Sequence, residues 1–160
     1  MNPGGLLIRP FRKTDQSMAE SLINAGLEER WGVIDPDLNP DLFDIASWYE
    51  PAVFLVGETD GEIVATGAYM PEADRTQAVR VQRMSVAAHC RRAGYGYRML
   101  AVLEQHALLA GYKMSVLETT ETWKDAIRFY QAMGYLVEGY ERGDVHFIKS
   151  ELKAQVPLQN

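Results

Sequence analysis

Sulfur cross-links are out of reach for this chain: Cys90 is the one cysteine in 160 residues. The fold must therefore be held by its core, and a lone thiol fits a reducing compartment, which predicts a cytoplasmic protein. Basic residues are also scarce, with 16 Lys and Arg against 22 Asp and Glu, a net charge of −6 and a pI near 5.1. That balance excludes a non-specific grip on nucleic acid and disfavours an anionic membrane surface. Long apolar runs are missing as well. Leu6 to Ile8 is cut short at Arg9, far below the roughly 20 residues that span a bilayer. No basic stretch followed by an apolar core and a cleavage site opens the chain, so no signal peptide is expected. The three histidines, His89, His106 and His146, do not cluster with Cys90 in sequence, and no metal site is expected.

What is present reads as alternating helices and strands. Gly5 to Phe11 is a first strand, with Thr14 or Asp15 available to cap a helix whose Met18, Leu22, Ile23 and Leu27 recur at helical spacing. Pro36 and Pro40 break that helix into a loop over Gly32 to Asp41, and a short helix is expected from Asp41 to Trp48. Val53 to Val56 and Ile63 to Met70 flank Asp60-Gly61, a dipeptide suited to a tight hairpin. A third strand is expected from Ala78 to Val86, then a helix from Gly96 to Ala110 stopped by Gly111. A strand from Met114 to Thr119, a helix from Trp123 to Met133 and a hairpin turning at Arg142-Gly143-Asp144 complete the chain, with Tyr135 to Val137 and Val145 to Ile148 as its arms. The fold class is α/β (an α+β mixed sheet), one domain over residues 1–152, with a polar tail at 153–160 that is expected to fray.

The sharpest local feature is Arg91-Arg92-Ala93-Gly94-Tyr95-Gly96, between the third strand and a helix. Two glycines one residue apart let the backbone turn tightly and bring its N–H groups near a ligand. A helix start carries about half a positive charge and unpaired N–H donors, which suits phosphate or pyrophosphate. Arg91, Arg92 and Arg98 are expected around the same mouth. Rival phosphate motifs fail. A dinucleotide fingerprint needs a third glycine where Met99 stands, and no Gly-Lys-Ser/Thr ends a P-loop.

The segment from Gln82 to Leu100 resembles the acetyl-CoA motif of the GNAT superfamily of N-acetyltransferases, in which a strand leads into Gln/Arg-x-x-Gly-x-Gly/Ala and then a helix. Arg91, Gly94 and Gly96 fill its three defining positions. Downstream, Ala126 to Tyr135 looks like the second signature, a helix with a late Tyr running into Gly-aromatic, and Leu7 to Pro10 with Asp15 resembles the opening strand and turn. The motifs fall in the right order over nearly the whole chain.

The resemblance implies the acyl-CoA N-acyltransferase fold, a splayed and mostly antiparallel sheet flanked by helices, and acetyl transfer from acetyl-CoA to a primary amine. Arg91, Arg92, Ala93, Gly94, Tyr95, Gly96 and Tyr97 are then the pyrophosphate loop, and Met84, Ser85 and Val86 the strand end that pairs with pantetheine. A backbone N–H there would polarise the thioester carbonyl. Tyr130 matches the general acid that protonates the departing thiolate. The strand glutamate that many members use as base falls at Arg80 here. Glu118 is the nearest substitute, though it could instead pair with Arg83 or cap the loop at Thr119-Thr120; Glu28, Asp35 and Asp37 are further candidates. Trp123 stands where many members have Asn, and packing against pantetheine or the acceptor is expected of it. Trp31, Trp48 and Tyr49 could line an acceptor pocket, with Trp48 the one expected in the core. The acceptor is a small-molecule or peptide amine, the assembly a monomer or homodimer. The alternative function is a catalytically silent acetyl-CoA sensor or scaffold, kept open by Arg80.

Overall fold

Two turns with left-handed backbone fix the pairing of the outer strands. Asp60 and Gly61 have φ of 52° and 81°, and Arg142 and Gly143 have 52° and 84°, the twist that suits two-residue hairpins. In the computed structural model, which describes residues 5–154, these turns join β2 (Val53–Thr59) to β3 (Glu62–Pro71) and β6 (Leu136–Glu141) to β7 (Asp144–Lys149). With β1 (Leu7–Pro10), β4 (Ala78–Val86) and β5 (Met114–Thr120), they form one seven-stranded sheet in the order β1-β2-β3-β4-β5-β7-β6. Every pairing is antiparallel except β4 with β5. The expected mixed sheet is present, and β4 spans the expected residues. The strands on either side of the hairpin turns run longer than alternation alone suggested. The expected tail bears mainly on residues 155–160, which lie outside the described residues.

Helices α3 (Tyr95–Leu109) and α4 (Lys124–Ala132) cover one face of the sheet. There Met99, Leu100, Leu103 and Ala107 pack on Leu55, Val79, Leu117 and Phe147, all buried, each large side chain contributing about 1.5–3 kcal/mol by leaving water. Helices α1 (Gln16–Trp31) and α2 (Ile45–Trp48) cover the other face. Its core is Ala19, Ile23, Leu42, Ile45, Tyr49, Phe54 and Val56. The α1 stripe differs from its expected form: Met18 is exposed, and the small Ala19 takes the inner position against the sheet. The expected helix over Asp41 to Trp48 is split into a 3₁₀ turn at Pro40–Leu42 and α2, because Asp44 accepts from the Ser47 N–H and starts a new helix. Among the described residues no helix is long and apolar enough to cross a membrane.

Two irregularities of β4 shape the cleft beside it. First, its pairing with β5 runs only from Ala78, opposite Met114, to Arg80, opposite Val116. Beyond that point the two strands diverge, leaving residues 81–86 with an unpaired edge. Second, the β3–β4 register slips by one between Thr66 and Ala68, so Arg83 and Met84 face Gly67 as a bulge. Arg83 takes φ of 55°, and its carbonyl accepts from Thr66 Oγ1 at 2.7 Å. The slip turns Gln82 and Arg83 toward the same face, where an even strand would alternate them.

Candidate active site

A cleft of about 360 Å³ fills the gap where β4 and β5 part. Val81 to Val86 form one wall, Leu117, Glu118 and Thr119 the other, and Gly26, Leu27 and Arg30 of α1 close the top. Toward the α3 and α4 face it continues into a groove lined by Met84, Ser85, Val86, Arg91, Arg92, Gly94, Tyr95, Gly96, Tyr97 and Tyr130. Toward the α2 face it opens into a second mouth that shares Val81, Gln82, Arg83 and Glu118 with it. The divergence of the two strands thus makes a passage through the sheet.

The glycine loop sits at one end of that passage. Gly94 holds φ of 81° as the residue before α3, and Arg92 also has a left-handed backbone, with φ of 68°. The amide of Arg98 is the first to bond back into the helix, to the Gly94 carbonyl at 3.0 Å. The amides ahead of it point out of the helix start as free donors. A Cβ at Gly96 would lie 3.6 Å from the Phe129 ring and 3.8 Å from Val86, so this glycine looks into the groove between α3, β4 and α4. All the expected loop residues line the groove except Ala93. Arg98 departs from expectation: it reaches back to donate to the Leu6 carbonyl at 3.1 Å and leaves Arg91 and Arg92 as the cations at the mouth.

Tyr130, on α4, lines both the cleft and the groove. Its ring is seated on Phe129, Tyr135 and Phe147, with centroids 5.1, 5.9 and 6.0 Å away, and its hydroxyl has no hydrogen-bond partner among the described residues. Burial holds its pKa well above the ordinary tyrosine value, against a weaker pull from Arg30. The hydroxyl therefore keeps its proton at neutral pH, as an acid must.

Glu118 projects from β5 beside Arg80, 3.9 Å away, and His146, 3.5 Å away. It does not pair with Arg83. That arginine grips Asp41 through two bonds of 2.8 and 2.6 Å and Asn39 through a third of 3.0 Å. The Tyr49 hydroxyl donates to Asp41 at 2.8 Å and lies 3.1 Å from Gln82 Oε1. Burial raises the Asp41 carboxyl, but the bonds from Arg83 and Tyr49 outweigh it and leave the pKa low. Periodicity could not have found this network, because it exists only through the bulge. Glu28, Asp35 and Asp37 do not line the passage, and Asp35 is occupied as a cap, accepting from the Asp37 N–H.

Trp123 lines the cleft. Trp31 lies against it at 5.4 Å, and the Arg30 guanidinium sits 4.4 Å above its ring. Arg30 also holds Asp125 through bonds of 3.0 and 2.7 Å, and Arg91 holds Glu29 at 2.6 and 2.9 Å. The end of α1 is thereby strapped to the glycine loop and to the start of α4 across the cleft between β4 and β5. Trp48 is not in the core: it is 47% exposed and lines the second mouth. Among the described residues no His, Cys, Asp and Glu gather in a group able to hold a metal ion.

A profile described as the acetyltransferase (GNAT) family matches residues 21–135. The chain belongs to the GNAT acetyltransferase family. The match begins within α1 and runs through the glycine loop to the Gly134-Tyr135 pair. Among the curated relatives, it is 34% identical over 104 residues to Probable N-acetyltransferase 14 of Xenopus tropicalis, 63% of this chain and 50% of that one. This chain spans about half the length of that relative and of Probable N-acetyltransferase camello from the same frog. Among solved structures, a GNAT-family acetyltransferase of Staphylococcus aureus Mu50 superposes with a TM-score of 0.83 at 17% identity, over 92% of this chain and 99% of that one. PaiA N-acetyltransferase from Thermoplasma acidophilum, solved in complex with coenzyme A, gives a TM-score of 0.76 at 13% identity, over 91% and 98%. This GNAT chain shares their fold.

Proposed function

We propose that this chain, as one domain over residues 1–152, is an N-acetyltransferase that moves an acetyl group from acetyl-CoA to a primary amine. The observation that carries the reading is the passage itself. It joins a glycine loop at a helix start to a carboxylate at the opposite mouth, with a protonated Tyr130 between them. The amides at the start of α3, with Arg91 and Arg92, suit the pyrophosphate of the donor. The unpaired edge of β4 over Met84, Ser85 and Val86 offers backbone groups to the pantetheine amides as a neighbouring strand would. The acidic surface and lone thiol fit a cytoplasmic enzyme.

In the reaction the acceptor enters from the α2 side as an ammonium and passes one proton to Glu118, the carboxylate nearest its path, which frees the nitrogen lone pair. The nitrogen lone pair attacks the thioester carbon, and the carbonyl electrons move onto oxygen, where a β4 amide stabilises them. Collapse reforms the carbonyl and breaks the carbon–sulfur bond, the thiolate takes the Tyr130 proton, and the surplus proton on the nitrogen replaces it on the Tyr130 oxygen, leaving a neutral amide and a free thiol. Holding both substrates in one passage supplies orientation worth up to about 7–11 kcal/mol.

The test is thiol release from acetyl-CoA across a panel of amines, with Tyr130→Phe beside the unaltered protein. Loss of a general acid should lower kcat by roughly 100-fold or more, with the Kd for acetyl-CoA nearly unchanged. Equal loss of turnover and cofactor affinity would remove Tyr130 from the acid role. Binding without any amine-dependent release would instead identify a silent acetyl-CoA sensor.

A further inference from the structure

The second mouth of the passage has a charge and shape that select among amines. It is a hollow of about 510 Å³ whose lining includes Pro40, Trp48, Met70, Arg80, Arg83 and Glu118. Each arginine is already matched. Arg83 is held by both oxygens of Asp41, and Arg80 donates to the Glu72 carboxylate. Both pairs are largely buried, with side-chain exposures of 18% and 8% for the first and 30% and 10% for the second. The Arg83 guanidinium, with three bonds, is not free to fork onto an incoming carboxylate, and Arg80 is shared between Glu72 and Glu118. Glu118 is different. Its contacts to Arg80 and His146 are 3.9 and 3.5 Å long, and among the described residues no group donates a hydrogen bond to it. Counted with the partners of the two arginines, the hollow carries one uncancelled negative charge, from Glu118. Besides Asp41 and the uncharged Gln82, the rest of its lining is Pro40, Trp48, Met70 and Val81, apolar or aromatic, with Trp48 half exposed at the rim.

From this juxtaposition we infer that the acceptor is a primary amine on an apolar, uncharged carbon framework, without a carboxylate beside the amino group. The reasoning rests on the acetyl-transfer reading above and narrows it to a substrate class. The ammonium is drawn to Glu118, and the framework lies along Met70, Pro40 and the Trp48 ring, which also attracts a cation over its face. An α-carboxylate would meet Glu118 as a like charge and find both arginines engaged.

The experiment compares phenethylamine with phenylalanine, which is the same framework with a carboxylate added, in the acetyl-CoA thiol-release assay. Acetyl-CoA affinity is measured separately by calorimetry. The expected result is a kcat/KM at least about tenfold higher for phenethylamine, and Trp48→Ala raising its KM by about tenfold (about 1.4 kcal/mol). The acetyl-CoA Kd of that variant is expected to stay unchanged, since Trp48 lies away from the glycine loop. Equal or better use of phenylalanine overturns the inference, as does an unchanged KM in Trp48→Ala. If acetyl-CoA is bound and consumed with other amines but with neither of these, the substrate class falls and the acetyltransferase reading stands. If acetyl-CoA is not bound at all, both fall.

Discussion

Removing the Asp41 carboxylate should cost stability out of proportion to its size. Asp41 and Arg83 side chains retain 8% and 18% of their exposure, and Asp41 receives both Arg83 bonds and the Tyr49 hydroxyl. In Asp41→Ala a largely buried guanidinium loses its counter-charge, which costs about 3–5 kcal/mol. The residual exposure of Arg83 places the expectation near the lower end, about 3 kcal/mol. For a chain of this size that corresponds to roughly 6–12 °C in Tm. Urea denaturation followed by tryptophan fluorescence reads the same quantity. The Arg83→Met change in the Asp41→Ala background removes the stranded charge and should restore part of the loss. The pH dependence follows from the lowered Asp41 pKa. A carboxylate held low in the folded state contributes stability that is complete above its unfolded pKa of about 3.9 and fades as pH falls through the folded value. The acid limb below about pH 4 should therefore be shallower in Asp41→Ala. A loss under about 1 kcal/mol, with no recovery in the double variant, would refute the network as the anchor of the bulge.

Two further substitutions probe the frame around the site. A Cβ at Gly67 would come within 2.8 Å of Met99 Cγ and 2.9 Å of Met84 Sδ. Gly67→Ala should therefore destabilise by about 1–3 kcal/mol through overpacking between β3 and α3, and an unchanged urea midpoint would contradict that packing. Glu29 occupies the fork of Arg91, the cation best placed for an anionic donor. Glu29→Gln should leave Tm unchanged while tightening acetyl-CoA in calorimetry, and weaker binding would mean that the pair orders the loop rather than competing for it.

The glycine loop, the late Tyr130 and the order of helices and strands were all legible in the sequence, because each depends on local spacing or on chain-adjacent turn chemistry. Where sequence reasoning fell short, the controlling contacts lie far apart along the chain. The bulge at Arg83 has no glycine to mark it. It is held by Thr66 from the next strand and by Asp41 from a loop some forty residues earlier. Glu118 was expected to have Arg83 as a possible partner, and the two do line the same mouth, but Asp41 and Asn39, distant in sequence, already occupy the Arg83 guanidinium. Trp48 reads as core by composition, yet α2 ends at that residue and leaves its ring at the rim. Arg98 shares the loop's cationic cluster in sequence, but it sits on the first turn of α3 and turns back to Leu6. Met18 fails for a simpler reason: close approach of α1 to the sheet favours the smaller Ala19 at the contact.

Calorimetric titration of acetyl-CoA into the unaltered protein and into Gly96→Leu decides whether the groove between β4, α3 and α4 holds acetyl-CoA, as proposed. A Cβ at Gly96 meets only ordinary contacts, at 3.6 Å and beyond, so the variant should fold while its side chain fills the groove. Saturable binding to the unaltered protein is expected, with at least about 100-fold weaker binding to the variant (about 2.7 kcal/mol) and similar Tm for both. No heat and no thermal stabilisation of the unaltered protein, or equal affinity in a folded variant, would contradict the proposed site.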